Sequence, residues 1–253
     1  MPINAGTSPA MGAADVAYGL SVPAYSSLPG AAYTLYLDFG GFAYTGNWYT
    51  GTPGTTPAYT VDSDATTFSS TELTNIHNIW SRVAQKYAMY NINVTTVDPA
   101  VAAGAAGSDA ARQSYYDSTA KMMHTVIGGS GGWTGGGGVS FVGVTAGSYA
   151  NTGYHTNWVF AAQAPTQLQF VAEATAHENG HGLGLNHQSD YSGTTKVTEY
   201  SDGTGALSPI MGVSYYSSRA GLWSKGTVAG TSGPVVQNDA YVIGADRHGR
   251  LPQ

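Results

Sequence analysis

Residues 177–187 constrain this chain more than any other feature, because they have the form His-Glu-x-x-His-x-x-Gly-x-x-His. In a helix, residues four apart share a face, so His177 and His181 direct their imidazoles toward one point. Gly184 stands where such a helix must end, since glycine tolerates the left-handed backbone of a helix stop. The chain can then turn back and bring His187 to the other two histidines. We therefore predict that these three histidines hold one metal ion.

The pattern also specifies the kind of metal site. Three neutral imidazoles leave a fourth tetrahedral position open for water, which is typical of catalytic rather than structural zinc. Glu178 follows the first histidine and can face that open position, where its carboxylate can take a proton from water. For a chain of this composition, a chance match to the full pattern is on the order of 10⁻⁵. The sequence thus predicts catalytic Zn²⁺ with Glu178 as general base.

The same pattern resembles the signature of the metzincin zinc endopeptidases, which include astacins, serralysins, matrixins, adamalysins and bacterial relatives. Their second signature is a tight turn with a methionine beneath the zinc. Residues 208–212, Ser-Pro-Ile-Met-Gly, resemble this Met-turn, and the resemblance implies that Met211 supports the metal ligands from below. Weaker similarity to secreted bacterial members covers most of residues 33–245.

One position departs from that family pattern. In astacins and serralysins, a tyrosine two residues beyond the Met-turn methionine can reach the zinc, whereas this chain has Val213 there. Tyrosines follow at Tyr215 and Tyr216. Two interpretations of this pair stay open: groups that stabilise the oxyanion, or aromatic residues of the pocket wall.

The resemblance and the hydrophobic periodicity together imply an α/β fold. We expect a metzincin-like catalytic domain with a twisted, mostly parallel five-stranded sheet, two long helices and a small irregular C-terminal subdomain. The first long helix should begin at the capping-box pair Ser69 and Glu72. Residues 100–118 are expected to be a loop with a helical turn. The predicted strands cover residues 33–39, 91–97, 121–127, 139–144 and 157–161, and the predicted helices cover 71–88, 165–182 and 237–245.

This interpretation divides the chain into three parts. Residues 1–32 are expected to be an extended N-terminal segment, residues 33–187 the N-terminal catalytic subdomain, and residues 188–253 the C-terminal subdomain with the Met-turn. In the metzincin fold, the fourth strand edges the cleft between the subdomains. Its residues are therefore expected to pair with the substrate backbone as an added strand; they are Val139, Ser140, Phe141 and Val142.

Composition excludes several other classes of function. Nine Lys and Arg residues against fifteen Asp and Glu residues give a net charge of −6, which excludes an electrostatic footprint for nucleic acid. The absence of cysteine excludes disulfides, thiol nucleophiles and iron–sulfur clusters. No apolar stretch is long enough to predict a membrane span. The first residues lack the charged and apolar regions of a signal peptide, so the expected extracellular location is implied by the resemblance.

The implied activity is zinc-dependent hydrolysis of peptide bonds in extracellular proteins. The expected partners are protein or peptide substrates, together with a removed propeptide or further domains of a larger secreted protein. The alternative function is a non-catalytic binding or adhesion module on a degenerate metzincin scaffold. A structural Ca²⁺ is a second cofactor left open by the family analogy, with acidic candidates at Asp38, Asp62, Asp64, Asp190 and Asp239.

Three other features favour structural interpretations. Residues 128–132 match the Gly-x-Ser-x-Gly elbow of serine hydrolases around Ser130, but glycines follow where that elbow requires a helix. Glu173, one helical turn before His177, is expected to be an exposed helix residue or a neighbour of the metal ligands. The histidines outside the motif are expected to be structural; they are His77, His124, His155 and His248.

Overall fold

The computed structural model describes residues 20–62, 64–145 and 153–245. Single turns of 3₁₀ helix lie at Ala161–Gln163 and Ser214–Tyr216. In chain order the strands and α-helices are β1 (Tyr33–Asp38), β2 (Phe42–Ala43), β3 (Thr55–Thr56), α1 (Ser70–Tyr87), β4 (Ile92–Thr95), α2 (Pro99–Ala102), α3 (Asp109–Ser118), β5 (Met122–Ile127), β6 (Gly138–Val139), β7 (Thr156–Val159), α4 (Leu168–Gly182), β8 (Asp190–Ser192), β9 (Thr195–Thr198), β10 (Leu207–Pro209), β11 (Ala220–Leu222), β12 (Lys225–Gly230), β13 (Gly233–Asn238) and α5 (Asp239–Ala245).

The central sheet has five strands in the order β4-β1-β5-β7-β6. All neighbouring strands run parallel except β6, which is antiparallel to β7. Strands of a parallel sheet that is covered on both faces are buried along their whole length, as every residue of β5 is. The predicted α/β fold with a mostly parallel five-stranded sheet is therefore confirmed.

Helix α1 begins at the predicted capping box. The Ser69 hydroxyl accepts a hydrogen bond from the backbone N–H of Glu72, while the Glu72 carboxylate accepts one from the backbone N–H of Ser69. Glu72 also accepts a hydrogen bond from the backbone N–H of Val61 at 2.9 Å. The glutamate is buried, so it ties the preceding loop to the helix start as well as capping it.

Helix α4 is buried on nearly every side, since each residue from position 170 to 182 has little solvent exposure. It packs against α1, where the Tyr87 hydroxyl donates to the carbonyl of Ala176 at 3.0 Å. Glu173 is buried rather than exposed, and it forms an ion pair of 2.7 Å with Lys86 of α1. Its other oxygen accepts a hydrogen bond from Ser214, so this carboxylate joins both helices to the C-terminal region. A buried carboxylate needs such partners, and Glu173 has them.

The face of the sheet that lies away from α1 and α4 buries polar groups among aromatic rings. The His124 Nε2 atom lies 3.0 Å from the Asp38 carboxylate, and both side chains are fully buried. Burial and the nearby Arg112 guanidinium lower the pKa of His124 well below its ordinary value. The His155 Nδ1 atom lies 2.9 Å from the carbonyl oxygen of Met122. Both histidines thus occupy structural positions, as predicted.

Two regions contain more regular structure than the sequence indicates. The region expected to be a loop over 100–118 contains α2 and α3 instead. The Asp98 carboxylate caps the N-terminus of α2, and the Ser108 hydroxyl caps that of α3. The region after residue 188 contains three two-stranded pairings, which are β8 with β9, β10 with β11, and β12 with β13. The predicted short helix near 237–245 corresponds to α5.

The predicted fourth strand is much shorter than expected. Only Gly138 and Val139 pair with β7, whereas Ser140, Phe141 and Val142 lie beyond the strand. The chain instead turns toward the end of α4, where the backbone N–H of Gly143 donates to the carbonyl of His181. Backbone N–H groups after residue 142 therefore donate to carbonyls at the end of α4 instead of extending this strand.

Some expectations fall on residues outside the described ranges, namely most of the N-terminal segment 1–32 and His248. Residues 20–32 are described, and Ser26 forms an antiparallel bridge with Thr95 of β4. In the described residues, no helix is long and apolar enough to cross a membrane.

Removing the Glu72 carboxylate is expected to destabilise the fold. Glu72→Ala leaves the half-buried backbone N–H groups of Val61 and Ser69 without an acceptor and should lower the free energy of unfolding by about 2 kcal/mol. Ser69→Ala removes the cap acceptor and the hydroxyl that donates to the Glu72 carboxylate, and should cost about 1 kcal/mol. Thr74→Ala, at an exposed position of α1, is the control and should change stability by less than about 0.5 kcal/mol. Urea denaturation gives all three values, and equal costs for Glu72→Ala and Thr74→Ala would contradict this assignment.

The same residue should make stability depend on pH. Burial alone would raise the pKa of Glu72, but the hydrogen bonds from Val61 and Ser69 outweigh it and hold the pKa below its ordinary value. A lowered carboxyl pKa stabilises the folded protein above the unfolded-state pKa, and this contribution is lost as the pH falls through the folded-state value. The stability difference between the wild type and Glu72→Gln should therefore shrink at acid pH.

Candidate metal centre

The histidine motif begins in the C-terminal half of α4. His177 and His181 lie one turn apart on the buried helix, with ring centroids 4.8 Å from each other. The helix ends at Gly182, and Gly184 adopts a left-handed backbone with φ of +95°. Its N–H donates to the carbonyl of His181, and the N–H of Leu185 donates to that of Gly180, which is the Schellman pattern of a helix stop. The predicted role of Gly184 in turning the chain is confirmed.

The three imidazoles meet at one point after this turn. One ligand atom from each of His177, His181 and His187 can be chosen so that all lie within 4.8 Å of one another. The Nε2 atoms of His181 and His187 are 3.0 Å apart. With Zn–N distances of about 2.0–2.1 Å, two nitrogens on a tetrahedral zinc lie about 3.3 Å apart. This spacing fits a shared zinc ion within a few tenths of an ångström.

Each histidine is also oriented by a partner on its Nδ1 atom. The Nδ1 atom of His177 lies 2.7 Å from the carbonyl oxygen of Ile210, and that of His181 lies 2.8 Å from the carbonyl oxygen of Leu185. These contacts place the proton on Nδ1 and leave Nε2 for a metal. Burial, followed by the neighbouring histidines, lowers the pKa of His177 well below its ordinary value and that of His181 to about 4. Both rings are therefore neutral at physiological pH, as metal binding requires.

The third histidine is held differently. The Nδ1 atom of His187 lies 2.7 Å from a carboxylate oxygen of Glu199, whose other oxygen accepts from Lys196 at 2.7 Å. Glu199 follows β9 directly, so the β8–β9 hairpin supplies the orienting group. A carboxylate on the far nitrogen fixes the ring and strengthens it as a ligand. Sequence analysis missed Glu199, because no spacing rule connects it to the motif.

Glu178 lies in the same cavity as the histidines. The cavity has a volume of about 430 Å³, and the Glu178 side chain is almost fully buried in its wall. Burial raises the pKa of its carboxyl to about 8 in the metal-free protein. A nearby divalent cation favours the charged carboxylate and acts against that shift. The arrangement places a basic oxygen beside an ion site, which suits proton transfer from water.

The remaining cavity wall joins three parts of the chain. Glycines 135–138 line one side, ahead of Val139 and Ser140 of the predicted substrate strand. Phe141 and Val142 do not line this cavity but an adjoining groove. Tyr215 and Tyr216 both line the cavity, together with Tyr200, which sequence analysis missed. The Tyr200 ring lies 4.5 Å from that of His187, and the Tyr215 ring lies 6.0 Å from that of His177.

Met211 is fully buried beneath α4. It lies in a turn closed by the N–H of Gly212 donating to the carbonyl of Pro209. The Met211 sulfur lies so close to Gly180 that a Cβ on that glycine would be 2.6 Å from it. Ile210, in the same turn, provides the carbonyl that holds His177. This turn therefore contacts both the helix and one of the three histidines.

The family relationship follows from comparison with known proteins. A family model described as metallo-peptidase family M12B, reprolysin-like, matches residues 91–229, which is more than half of the chain. The chain belongs to this family. The matched region of the M12B domain contains the three histidines, Glu178, Glu199 and Met211. A comparison with curated proteins found no match.

The metzincin resemblance is thus confirmed, and the histidine cluster is consistent with a metzincin zinc site. Within the described residues of the M12B domain, no other group of three His, Asp or Glu side chains converges in this way. The residues at the serine-hydrolase pattern behave differently: the carbonyl of Ser130 accepts a hydrogen bond from Gln163, and no helix follows among residues 131–145. The described geometry favours metal chemistry over a serine nucleophile.

Glu199→Gln is expected to weaken zinc binding by roughly tenfold, because a neutral amide orients and polarises His187 less well than a carboxylate. Glu199→Ala should weaken it further, toward about 100-fold. Asp202→Asn is the matched control, since it removes an exposed carboxylate three residues away that makes no hydrogen bond to the histidines. Competition with a coloured chelator measures the zinc dissociation constants. Values for both Glu199 variants within twofold of the control would refute the role of this carboxylate.

Proposed function

We propose that this protein is a secreted zinc endopeptidase that hydrolyses peptide bonds of extracellular proteins, with Glu178 as general base. One observation carries the proposal: three histidine nitrogens converge at a cavity whose wall also contains a buried glutamate. Membership of a metallopeptidase family supports the same reaction class. The low charge and the metzincin resemblance support extracellular substrates.

The proposed residues act in a simple sequence. His177, His181 and His187 hold Zn²⁺, which when bound polarises the scissile carbonyl and lowers the pKa of water toward about 7. Glu178 takes a proton from the attacking water and delivers it to the leaving amine. Its nearly complete burial keeps competing water away from that carboxylate. Phenols from the cavity wall are candidates to stabilise the oxyanion; these are Tyr200, Tyr215 and Tyr216.

Substrate binding is proposed at the edge of the sheet. Strand β6 is the last strand in the sheet order, so one side of it is not covered by another strand of that sheet. Val139 and Ser140 line the cavity directly beside this edge. An extended peptide can hydrogen-bond to such an edge and place its scissile bond over the histidines. The two-residue length of β6 means that backbone pairing covers a short stretch of substrate.

The domain boundaries and supporting residues also remain proposals. We assign residues 33–187 and 188–253 to two subdomains separated by the cleft, and 1–32 to an N-terminal segment of which residues 1–19 lie outside the described ranges. The turn with Met211 is proposed as the Met-turn, because it contacts α4 and orients His177. Calcium binding stays a prediction.

Glu178→Ala should retain zinc and lose peptidase activity by at least about 100-fold, because the ligands remain while the proton acceptor is removed. The measurement combines zinc analysis with digestion of casein and gelatin. Asp202→Ala is the control and should match the wild type in both zinc content and rate. A chelator should abolish the wild-type activity, and added zinc should restore it.

Two outcomes would count against the proposal. Full activity in Glu178→Ala would overturn the assigned base while leaving the metal site intact. Protein that binds no zinc and digests neither substrate would overturn the peptidase function and favour the alternative of a non-catalytic binding module.

A further inference from the structure

A second groove continues from the metal cavity along the sheet edge. It has a volume of about 570 Å³ and shares two wall residues, Val139 and Ser140, with the cavity. The other residues that line it are Trp48, Tyr49, Phe141 and Val142. A ligand that follows the sheet edge out of the cavity therefore passes over these side chains.

The groove is apolar and uncharged. Its floor is built from aromatic rings, with Tyr49 and Phe141 in an edge-on contact at 5.9 Å. Tyr49 is 66% exposed and Val142 is 38% exposed. Exposed apolar side chains that share one groove are typical of a binding surface. Inside the groove, the buried hydroxyl oxygen of Ser140 has no hydrogen-bond partner among the described residues.

The position of Tyr49 is fixed by its flanking residues. Trp48 and Gly51 exchange two backbone hydrogen bonds of 2.9 Å, which close a tight turn around Tyr49. Trp48 is itself anchored, because its indole N–H donates to the carbonyl of Thr156 in β7. Tyr49 adopts a left-handed backbone with φ of +52°, and no other non-glycine residue among those described has a positive φ. The turn therefore holds Tyr49 in a backbone conformation that is uncommon for a bulky residue, and this fixes the ring at the groove.

The distance from the metal cavity sets which part of a substrate meets this groove. The backbone of Gly138 lies against Glu178, since a Cβ on this glycine would be 2.5 Å from the carboxylate. Phe141 is three residues further along, so its backbone lies at most about 10 Å away. An extended peptide spans that distance in about three residues.

We propose that this groove, the Tyr49 shelf, binds a bulky apolar side chain of the substrate about three residues from the scissile bond. The proposal rests on the peptidase function above and adds a sequence preference to it. The two cavities are continuous through Val139 and Ser140, so a substrate that leaves the metal cavity along the sheet edge reaches this groove. An aliphatic or aromatic side chain would cover Tyr49 and Val142, while the peptide backbone would bring polar groups close to Ser140.

Tyr49→Asn tests this proposal, because asparagine tolerates the left-handed backbone but lacks the ring. Tyr241→Asn is the matched control: Tyr241 is 65% exposed, and it lies on α5 away from both cavities. A peptide mixture is digested with each protein, and the cleavage sites are mapped by mass spectrometry. The wild type and the control should prefer bulky apolar residues over Gly or Ser, by about tenfold, at the second to fourth position on one side of the cut. Tyr49→Asn should lose that preference.

A binding measurement separates this proposal from the peptidase function. Glu178→Ala protein is titrated with two synthetic peptides that differ only by Leu or Gly at one position. That position is the one mapped by the digestion. If the digestion maps no cleavage, it is the third residue from the centre of the peptide. Tighter binding of the Leu peptide, lost when Tyr49→Asn is added, supports the shelf whether or not the wild type hydrolyses peptides. An equal affinity for the two peptides overturns the shelf and leaves the peptidase function standing. A wild-type dimer that dissociates with Tyr49→Asn would also overturn it, since a second copy would then cover the groove.

Discussion

The architecture depends on one constraint: three imidazole nitrogens must reach the same point from the end of a buried helix. A helix alone can supply only two of them, because the next residue on that face lies a full turn further along the axis. The left-handed backbone at Gly184 solves this by reversing the chain directly after α4. His187 then approaches from outside the helix, and its Nε2 atom meets that of His181 at 3.0 Å. The rest of the site is arranged around this reversal.

Burying a helix that carries polar side chains imposes a second requirement, since each polar group needs a partner inside the protein. Several of these polar groups have partners that are distant in sequence. His177 contacts a carbonyl from the turn at Ile210, and Glu173 pairs with Lys86 of α1 and accepts a hydrogen bond from Ser214. The C-terminal region is therefore more than a wall of the cleft. It supplies partners for polar side chains that α4 buries, among them His177 and Glu173.

The difference between local contacts and contacts distant in sequence explains what could be predicted from the sequence. The zinc motif, the capping box at Ser69 and the helix stop at Gly184 are local, because each depends on spacings within a few residues. Glu199 and Tyr200 could not be found in this way, since their proximity to His187 depends on how the β8–β9 hairpin folds back. Strand β6 was overestimated for a similar reason: the alternation of apolar residues after Val139 is typical of a strand, but hydrogen bonds to the end of α4 compete for that backbone.

The glycine run beside the cavity allows close approach between the sheet edge and the side chains of α4. From the sequence it reads as a flexible approach to a strand, yet two of its members are fixed by close contacts. A Cβ at Gly138 would lie 2.5 Å from the Glu178 carboxylate, and one at Gly137 would lie 2.8 Å from the Phe170 ring. Glycine is therefore required here so that the sheet edge can approach the proposed base. Just beyond the short strand the cleft becomes aromatic, where Phe141 packs against the Tyr49 ring. In the proposed mechanism, the small residues beside the metal cavity would admit the substrate backbone, and the large ones beyond the strand would select a side chain.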